Sequence, residues 1–179
     1  MAKRRTKGLL IVLTGDGKGK TSAALGLALR AAGRGLRTHI IQFIKAPGCS
    51  GEQAAVEKLA PLVSLVAGGT GFVLPGDTAG MERARPAARS AWAQASQYLQ
   101  EGGVEILVLD ELPLALRAGL LDPAKVLAAI SARRADLHVI VTGRDAPKEL
   151  CQQADLVTEM VARKHPYDQG RPAELGIDL

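Results

Sequence analysis

No stretch of this chain limits its fold as strongly as Leu9-Leu10-Ile11-Val12-Leu13 running directly into Thr14-Gly15-Asp16-Gly17-Lys18-Gly19-Lys20-Thr21-Ser22. An apolar strand feeding a glycine-rich turn that closes on Gly-Lys-Thr is a phosphate-binding loop. In such a loop Gly15, Gly17 and Gly19 let consecutive backbone N–H groups turn onto phosphate oxygens. Lys20 can reach between phosphates, and the Thr21 hydroxyl is placed for Mg²⁺. Ala23-Ala24-Leu25-Gly26-Leu27-Ala28-Leu29-Arg30 then reads as a helix whose N-terminal dipole faces the anion. Two letters depart from the common pattern. Thr14 opens the loop where Gly or Ala is usual, and Lys18 adds a second positive charge, either as a phosphate contact or as a solvated side chain.

The rest of the chain gives that loop a globular setting. With 179 residues, 47% of them hydrophobic, it fits one compact domain over residues 9–179, preceded by a basic tail at residues 1–8. The balance of 23 Lys and Arg against 18 Asp and Glu, a formal +5, suits anionic ligands but is also an ordinary solubility margin. Nucleic acid is not an expected partner, because aromatic residues are 3% of the chain and offer no stacking platform. The basic tail and the apolar run behind it resemble a secretory leader only superficially, since the run is too short and enters the phosphate loop. No run is long enough to span a membrane. Cys49 and Cys151 lie far apart without metal-ligand or redox spacing, so reduced thiols and a cytoplasmic protein are expected.

Apolar runs of strand length recur at residues 9–13, 38–43, 62–66, 106–110, 137–142 and 156–160, each rich in Val, Ile or Leu. Such continuous runs suit strands covered on both faces. Helical stretches lie between them, the longest over residues 77–101 and the best marked over 122–133, where Asp122-Pro123 supplies a cap and a first-turn proline. The expected fold class is α/β: a single-domain, mainly parallel sheet with helices on both faces and ligands outside the carboxyl ends of the strands. Two segments escape the alternation. Ala67-Gly68-Gly69-Thr70-Gly71-Phe72-Val73-Leu74-Pro75-Gly76 is either a mobile wall of the site or a solvent loop with Phe72 tucked into the core. The polar run Arg163-Lys164-His165-Pro166-Tyr167-Asp168-Gln169-Gly170 reads as a surface extension.

Leu107-Val108-Leu109-Asp110-Glu111 ends an apolar strand in two carboxylates, the usual place of the acid that holds the Mg²⁺ shell in phosphate-loop proteins. Spacing does not decide whether Asp110 or Glu111 touches the metal, and such a pair can also cap the following helix. Arg144, in Thr142-Gly143-Arg144-Asp145, ends another strand on the same edge, either in reach of phosphate, ribose or Glu111 or in a plain surface turn. Gln42 and Lys45 close the second strand on that edge. His39 and His138 fall at strand starts on the opposite edge and are expected to pack, not to catalyse. No Ser-His-Asp or Cys-His set is suggested by spacing. The residues by themselves point to a Mg-nucleotide-binding α/β protein.

The full set of motifs is more specific. Thr14-Gly15-Asp16-Gly17-Lys18-Gly19-Lys20-Thr21, Gln42-Phe43-Ile44-Lys45, Gly51-Glu52, Gly71-Phe72, Val108-Leu109-Asp110-Glu111-Leu112, Thr142-Gly143-Arg144 and Lys164-His165-Pro166-Tyr167-Asp168-Gln169-Gly170 resemble the phosphate-loop ATP:co(I)rrinoid adenosyltransferases of the CobA/CobO/BtuR type. The match runs from Leu9 to the C-terminus, and Thr14 and Lys18 belong to that family's loop. The resemblance implies a P-loop NTPase fold of the RecA-like kind. It implies transfer of the 5′-deoxyadenosyl group of ATP to the cobalt of a reduced, Co(I) corrinoid, with release of triphosphate, in adenosylcobalamin biosynthesis or salvage. Cobalt is then the nucleophile, in agreement with a chain that offers none of its own. By the same resemblance Lys20, Glu111 and Phe72 are catalytic. Gly15, Asp16, Gly17, Lys18, Gly19, Lys20, Thr21, Ser22 and Arg144 bind the nucleotide, and Thr21, Glu111 and Asp110 hold Mg²⁺. A reversed phosphate order, a homodimer and an electron-donating reductase such as a flavoprotein are implied as well.

Two departures stand out. Where some members carry a Phe-x-Trp pair that expels the lower cobalt ligand, this chain has Phe72-Val73-Leu74 and keeps only the first aromatic. Some members also have a longer N-terminal segment over the active site, against residues 1–8 here. Two other classes share the loop and the acidic pair: a small-molecule or nucleoside kinase, which would release ADP, and a non-catalytic ATP-dependent switch or corrinoid carrier.

Overall fold

The computed structural model describes residues 7–74 and 76–178, so residues 1–6, most of the expected basic tail, lie outside the described residues together with Pro75 and Leu179. Six strands form one sheet: β1 (Leu10–Thr14), β2 (Thr38–Gln42), β3 (Val63–Ala67), β4 (Ile106–Asp110), β5 (His138–Thr142) and β6 (Leu156–Glu159). They alternate with α1 (Lys20–Ala32), α2 (Gly51–Glu57), α3 (Thr78–Glu101), α4 (Leu112–Arg117), α5 (Pro123–Ser131) and α6 (Lys148–Gln153). Every pairing is parallel, in the order β3-β2-β4-β5-β1-β6. All carboxyl ends therefore share one edge, and β5 stands between β1, which carries the phosphate loop, and β4, which carries Asp110. The expected α/β architecture and its six strands are present. Helices α2, α4 and α6 were not legible, because six or seven residues give apolar periodicity too little length to register.

The alternation of side chains along each strand divides the core in two. Leu10, Val12, Ile41, Leu107, Leu109, Val139 and Val141 point to one face, under Ala84, Ala88, Ala91, Ala95 and Leu99 of α3 and the buried residues of α4, α5 and α6. Leu13, Ile40, Val63, Ile106, Val108 and Ile140 point to the other, under Ala24, Ala28 and Ala31 of α1 and Val56 of α2. Helices thus cover both faces, which is why the strands read as continuous apolar runs. The capping residues behave as their types require. Asp77 accepts from Gly80 N–H at the start of α3, and Asp122 accepts from Ala124 and Lys125 N–H at the start of α5.

The glycine-rich connection after β3 is docked at its base. Gly68, Gly69 and Gly71 N–H donate to the carbonyls of Gln42, Lys45 and Ile44 at 2.9, 3.2 and 2.8 Å. Gly69 permits this approach, since a Cβ there would lie 2.1 Å from the Ile44 carbonyl carbon. The docking turns Val73 onto the core and leaves Phe72 78% exposed. That corrects the alternative in which Phe72 is tucked into the core. Gly69→Ala is expected to destabilise the fold by about 1–3 kcal/mol through overpacking, read as a lower urea midpoint with an unchanged slope.

Candidate functional site

The phosphate loop joins β1 to α1, and Gly15 and Gly19 adopt φ of 91° and 120°, where glycine is favoured. A second constraint comes from the residue after β6. A Cβ on Gly15 or Gly17 would lie 2.5 or 2.7 Å from the Met160 carbonyl oxygen, and Gly17 N–H donates to that oxygen at 2.6 Å. Thr14 ties β1 to the segment after β5, because its hydroxyl oxygen accepts from Ala146 N–H at 3.3 Å. Lys20 is buried, with Nζ donating to the carbonyls of Gly15 and Gly17, both at 2.7 Å. Burial pulls its ammonium pKa below the ordinary value; Glu111 and Asp16 oppose the drop and Arg144 adds to it.

Asp110 ends β4 with no solvent exposure. Its Oδ1 accepts from the hydroxyls of Thr21 at 2.8 Å and Thr142 at 2.6 Å, and its Oδ2 accepts from Gln42 Nε2 at 3.2 Å. A buried carboxylate requires donors of this kind. Glu111 follows at φ 58°, a left-handed conformation uncommon outside glycine, with its N–H donating to the Thr142 hydroxyl at 3.2 Å. That turn sends the two carboxylates apart: Asp110 lies behind Thr21, whereas Glu111 faces the open cleft. Glu111 starts α4 without a side-chain capping bond, so the helix-cap alternative is not what its carboxylate does. Burial, then repulsion from Asp110, raises the Glu111 pKa, against the pull of Lys20, Arg144 and Lys45.

Gln42 carries the network to α2. Its Nε2 also donates to Glu52 Oε1 at 2.9 Å, and its Oε1 accepts from Gln53 Nε2 at 3.0 Å. Lys45 forms an ion pair with Glu52. Burial works against ionisation of Glu52, but hydrogen bonds from Lys45 and Gln42 outweigh it and hold the carboxyl at about 2. A cleft of about 470 Å³, within the usual range for small-molecule sites, opens over this network. Lys18, Lys20, Thr21, Ser22, Lys45, Glu52 and Glu111 line it, joined by Gly176, Ile177 and Asp178 from the end of the chain.

The loop residues and the acidic pair expected from the sequence thus come together. Arg144 stays at the rim, 3.8 Å from Asp16, and reaches Lys20 and Glu111 only through its field. Lys18 is partly exposed, and its Nζ donates to Asp178 Oδ1 at 2.6 Å, a partner neither expectation named. Phe72 lies outside the set of cleft residues. His39 packs as expected, buried with Nδ1 2.7 Å from Ser64 Oγ and its ring 4.4 Å from Tyr98, while His138 Nδ1 accepts from Leu9 N–H at 3.1 Å. Sequence reasoning missed three contributors: the Thr142 hydroxyl, the Met160 carbonyl and the terminal turn. Thr142 was visible as a strand end, but its bond to Asp110 depends on strand order. Lys18 and Asp178 are 160 residues apart, and no local pattern links them.

The sequence model described as ATP:corrinoid adenosyltransferase BtuR/CobO/CobP matches residues 6–179. The chain belongs to that family. The corrinoid adenosyltransferase of Pseudomonas aeruginosa is 41% identical over 176 residues, covering 98% of this chain and 86% of its own. Those of Escherichia coli K12 and Salmonella typhimurium are each 36% identical over 172 residues, covering 96% of this chain and 86% of theirs. Among solved structures, a KaiC-like protein from Pyrococcus horikoshii matches with a TM-score of 0.54 at 17% identity, over 89% of this chain and 75% of that one. That likeness concerns the fold alone. Cys49 and Cys151 are free thiols, and no helix among the described residues is long and apolar enough to cross a membrane.

The low Glu52 pKa makes a pH prediction. A carboxyl depressed from 4.5 to about 2 contributes stability that is present above pH 4.5 and lost as pH falls toward 2. Glu52→Gln is expected to melt below wild type at pH 7, with the deficit shrinking to nothing across that window in paired thermal melts.

Proposed function

We propose that this chain transfers the 5′-deoxyadenosyl group of ATP to the cobalt of a reduced corrinoid and releases triphosphate. The observation that carries the reading is the convergence of Lys20, Thr21 and Glu111 on one cleft, backed by Asp110, in a member of the corrinoid adenosyltransferase family. The cleft supplies positive charge and backbone donors where a leaving triphosphate would sit, and the nucleophile comes with the second substrate. In this reading Lys20 exchanges the carbonyls of Gly15 and Gly17 for phosphate oxygens, with Gly19, Ser22 and Lys18 as further phosphate contacts. Arg144 and Asp16 form the rim pair beside them.

The donor set fits Mg²⁺. Thr21 gives its hydroxyl proton to Asp110 and so keeps lone pairs for a cation, and Glu111 adds a carboxylate from the cleft side. Hard oxygen donors with one or two carboxylates, completed by water and substrate phosphates, are what Mg²⁺ prefers. When bound, it would neutralise charge on the departing triphosphate. Asp110 would orient Thr21, and Thr21 and Glu111 would hold the ion.

Phe72, exposed on a loop docked to the end of β2, is assigned to the corrinoid: an apolar ring in place of the lower cobalt ligand favours the strongly nucleophilic Co(I) state. Family resemblance extends the proposal to a cytoplasmic homodimer served by an electron-donating reductase such as a flavoprotein.

Anaerobic incubation with ATP, Mg²⁺ and chemically reduced corrinoid is the direct test. Intact triphosphate and a light-sensitive carbon–cobalt bond are expected; ADP with a phosphorylated acceptor would indicate a kinase, and neither product would indicate a carrier. Lys20→Ala is expected to weaken MgATP binding about ten- to a hundredfold, the equivalent of roughly 1.5–3 kcal/mol for a charge-assisted contact. Unchanged affinity in calorimetric titration would remove the nucleotide-site assignment. Phe72→Ala is expected to slow the reaction sharply from Co(II) corrinoid with a weak reductant and only mildly from preformed Co(I). Equal losses in the two assays would assign Phe72 to loop packing.

A further inference from the structure

Lys18 finds its partner at the far end of the chain. Its Nζ donates to Asp178 Oδ1 at 2.6 Å, with the two side chains 44% and 31% exposed. The other Asp178 oxygen accepts from Glu174 N–H at 2.9 Å. Asp178 and Ile177 N–H in turn donate to the Glu174 carbonyl at 2.8 and 3.1 Å. The carboxylate is therefore held by a closed turn, not carried on a free tail. That turn forms one wall of the cleft containing Lys20, Thr21 and Glu111. A carboxylate and a polyphosphate compete for the same ammonium group, and here the carboxylate is built into the chain.

We propose that Asp178 is a positioning residue of the nucleotide site: acting through Lys18, it restrains the second positive charge of the phosphate loop and so sets how tightly the loop grips ATP and the triphosphate released from it. The role of triphosphate as product rests on the adenosyltransferase reading; the competition for Lys18 rests on the phosphate loop alone. Two lysines grip a polyanion more tightly than one, and product departure limits many turnovers. A competing carboxylate weakens that grip. Because the pair is partly exposed, its effect is a few-fold and falls with salt.

Asp178→Asn removes the charge while keeping the size and an oxygen for Glu174 N–H. Calorimetric titration of the whole protein with inorganic tripolyphosphate at low ionic strength is expected to show about two- to fivefold tighter binding than wild type. The gain should fade at about 0.5 M salt, where the screening length is only a few ångströms. It should vanish in a Lys18→Gln background, and Asp178→Glu should restore wild-type affinity. In turnover, KM for ATP and kcat should fall together. Equal or weaker binding by Asp178→Asn, or the same gain without Lys18, overturns the proposal. Failure of the site reading itself looks different: wild type would then bind neither tripolyphosphate nor ATP, and the proposal would fall with it.

Discussion

Asp110 is buried completely at the end of β4, and a carboxylate in that position is tolerable only because Thr21, Thr142 and Gln42 all donate to it. Those donors come from the first turn of α1, from β5 and from β2. One acid therefore holds the helix behind the phosphate loop and two strands of the sheet in fixed relation. Loss of any donor would leave part of a buried charge unpaired, which is costlier than losing an ordinary surface bond. The hydroxyl of Thr21 is oriented by the same bond, so the geometry of the loop and the stability of the sheet edge are coupled through a single side chain.

Glu111 shows what the neighbouring position is for. Its left-handed backbone separates it from Asp110 and turns it toward Lys20, and burial beside a second acid raises its pKa. Two adjacent carboxylates thus have unlike surroundings, one saturated with hydrogen bonds inside the sheet and the other facing the cleft. The other wall comes from Glu52, held ionised by Lys45 and Gln42. Gln42 bonds to both Asp110 and Glu52, so the acid inside the sheet and the Glu52 wall share one buried amide.

Glycine enters this structure through close approaches as much as through turn geometry. At Gly15 and Gly17 the limiting neighbour is the Met160 carbonyl at the end of β6; at Gly69 it is Ile44. The first pair brings the edge strand against the phosphate loop, and the second pins the base of the Phe72 loop to the end of β2. Phe72 is exposed because its loop is anchored before it and turned inward after it, at Val73.

Local chemistry made much of this legible. Apolar runs closing on Gly-Lys-Thr and on Asp-Glu identify the strand ends and the residues that meet there, because each pattern lies within a dozen residues and a parallel sheet puts all strand ends on one edge. The long helices were readable from their caps and length, whereas α2, α4 and α6 were too short to leave a period. Tertiary structure decided what no local pattern contains: that β5 stands between β1 and β4 and brings the Thr142 hydroxyl to Asp110, that Met160 closes on Gly17, and that Lys18 meets Asp178. Each of these contacts joins segments distant along the chain. A residue type states what a side chain can bond to, but strand order and the path of the chain determine which partner arrives.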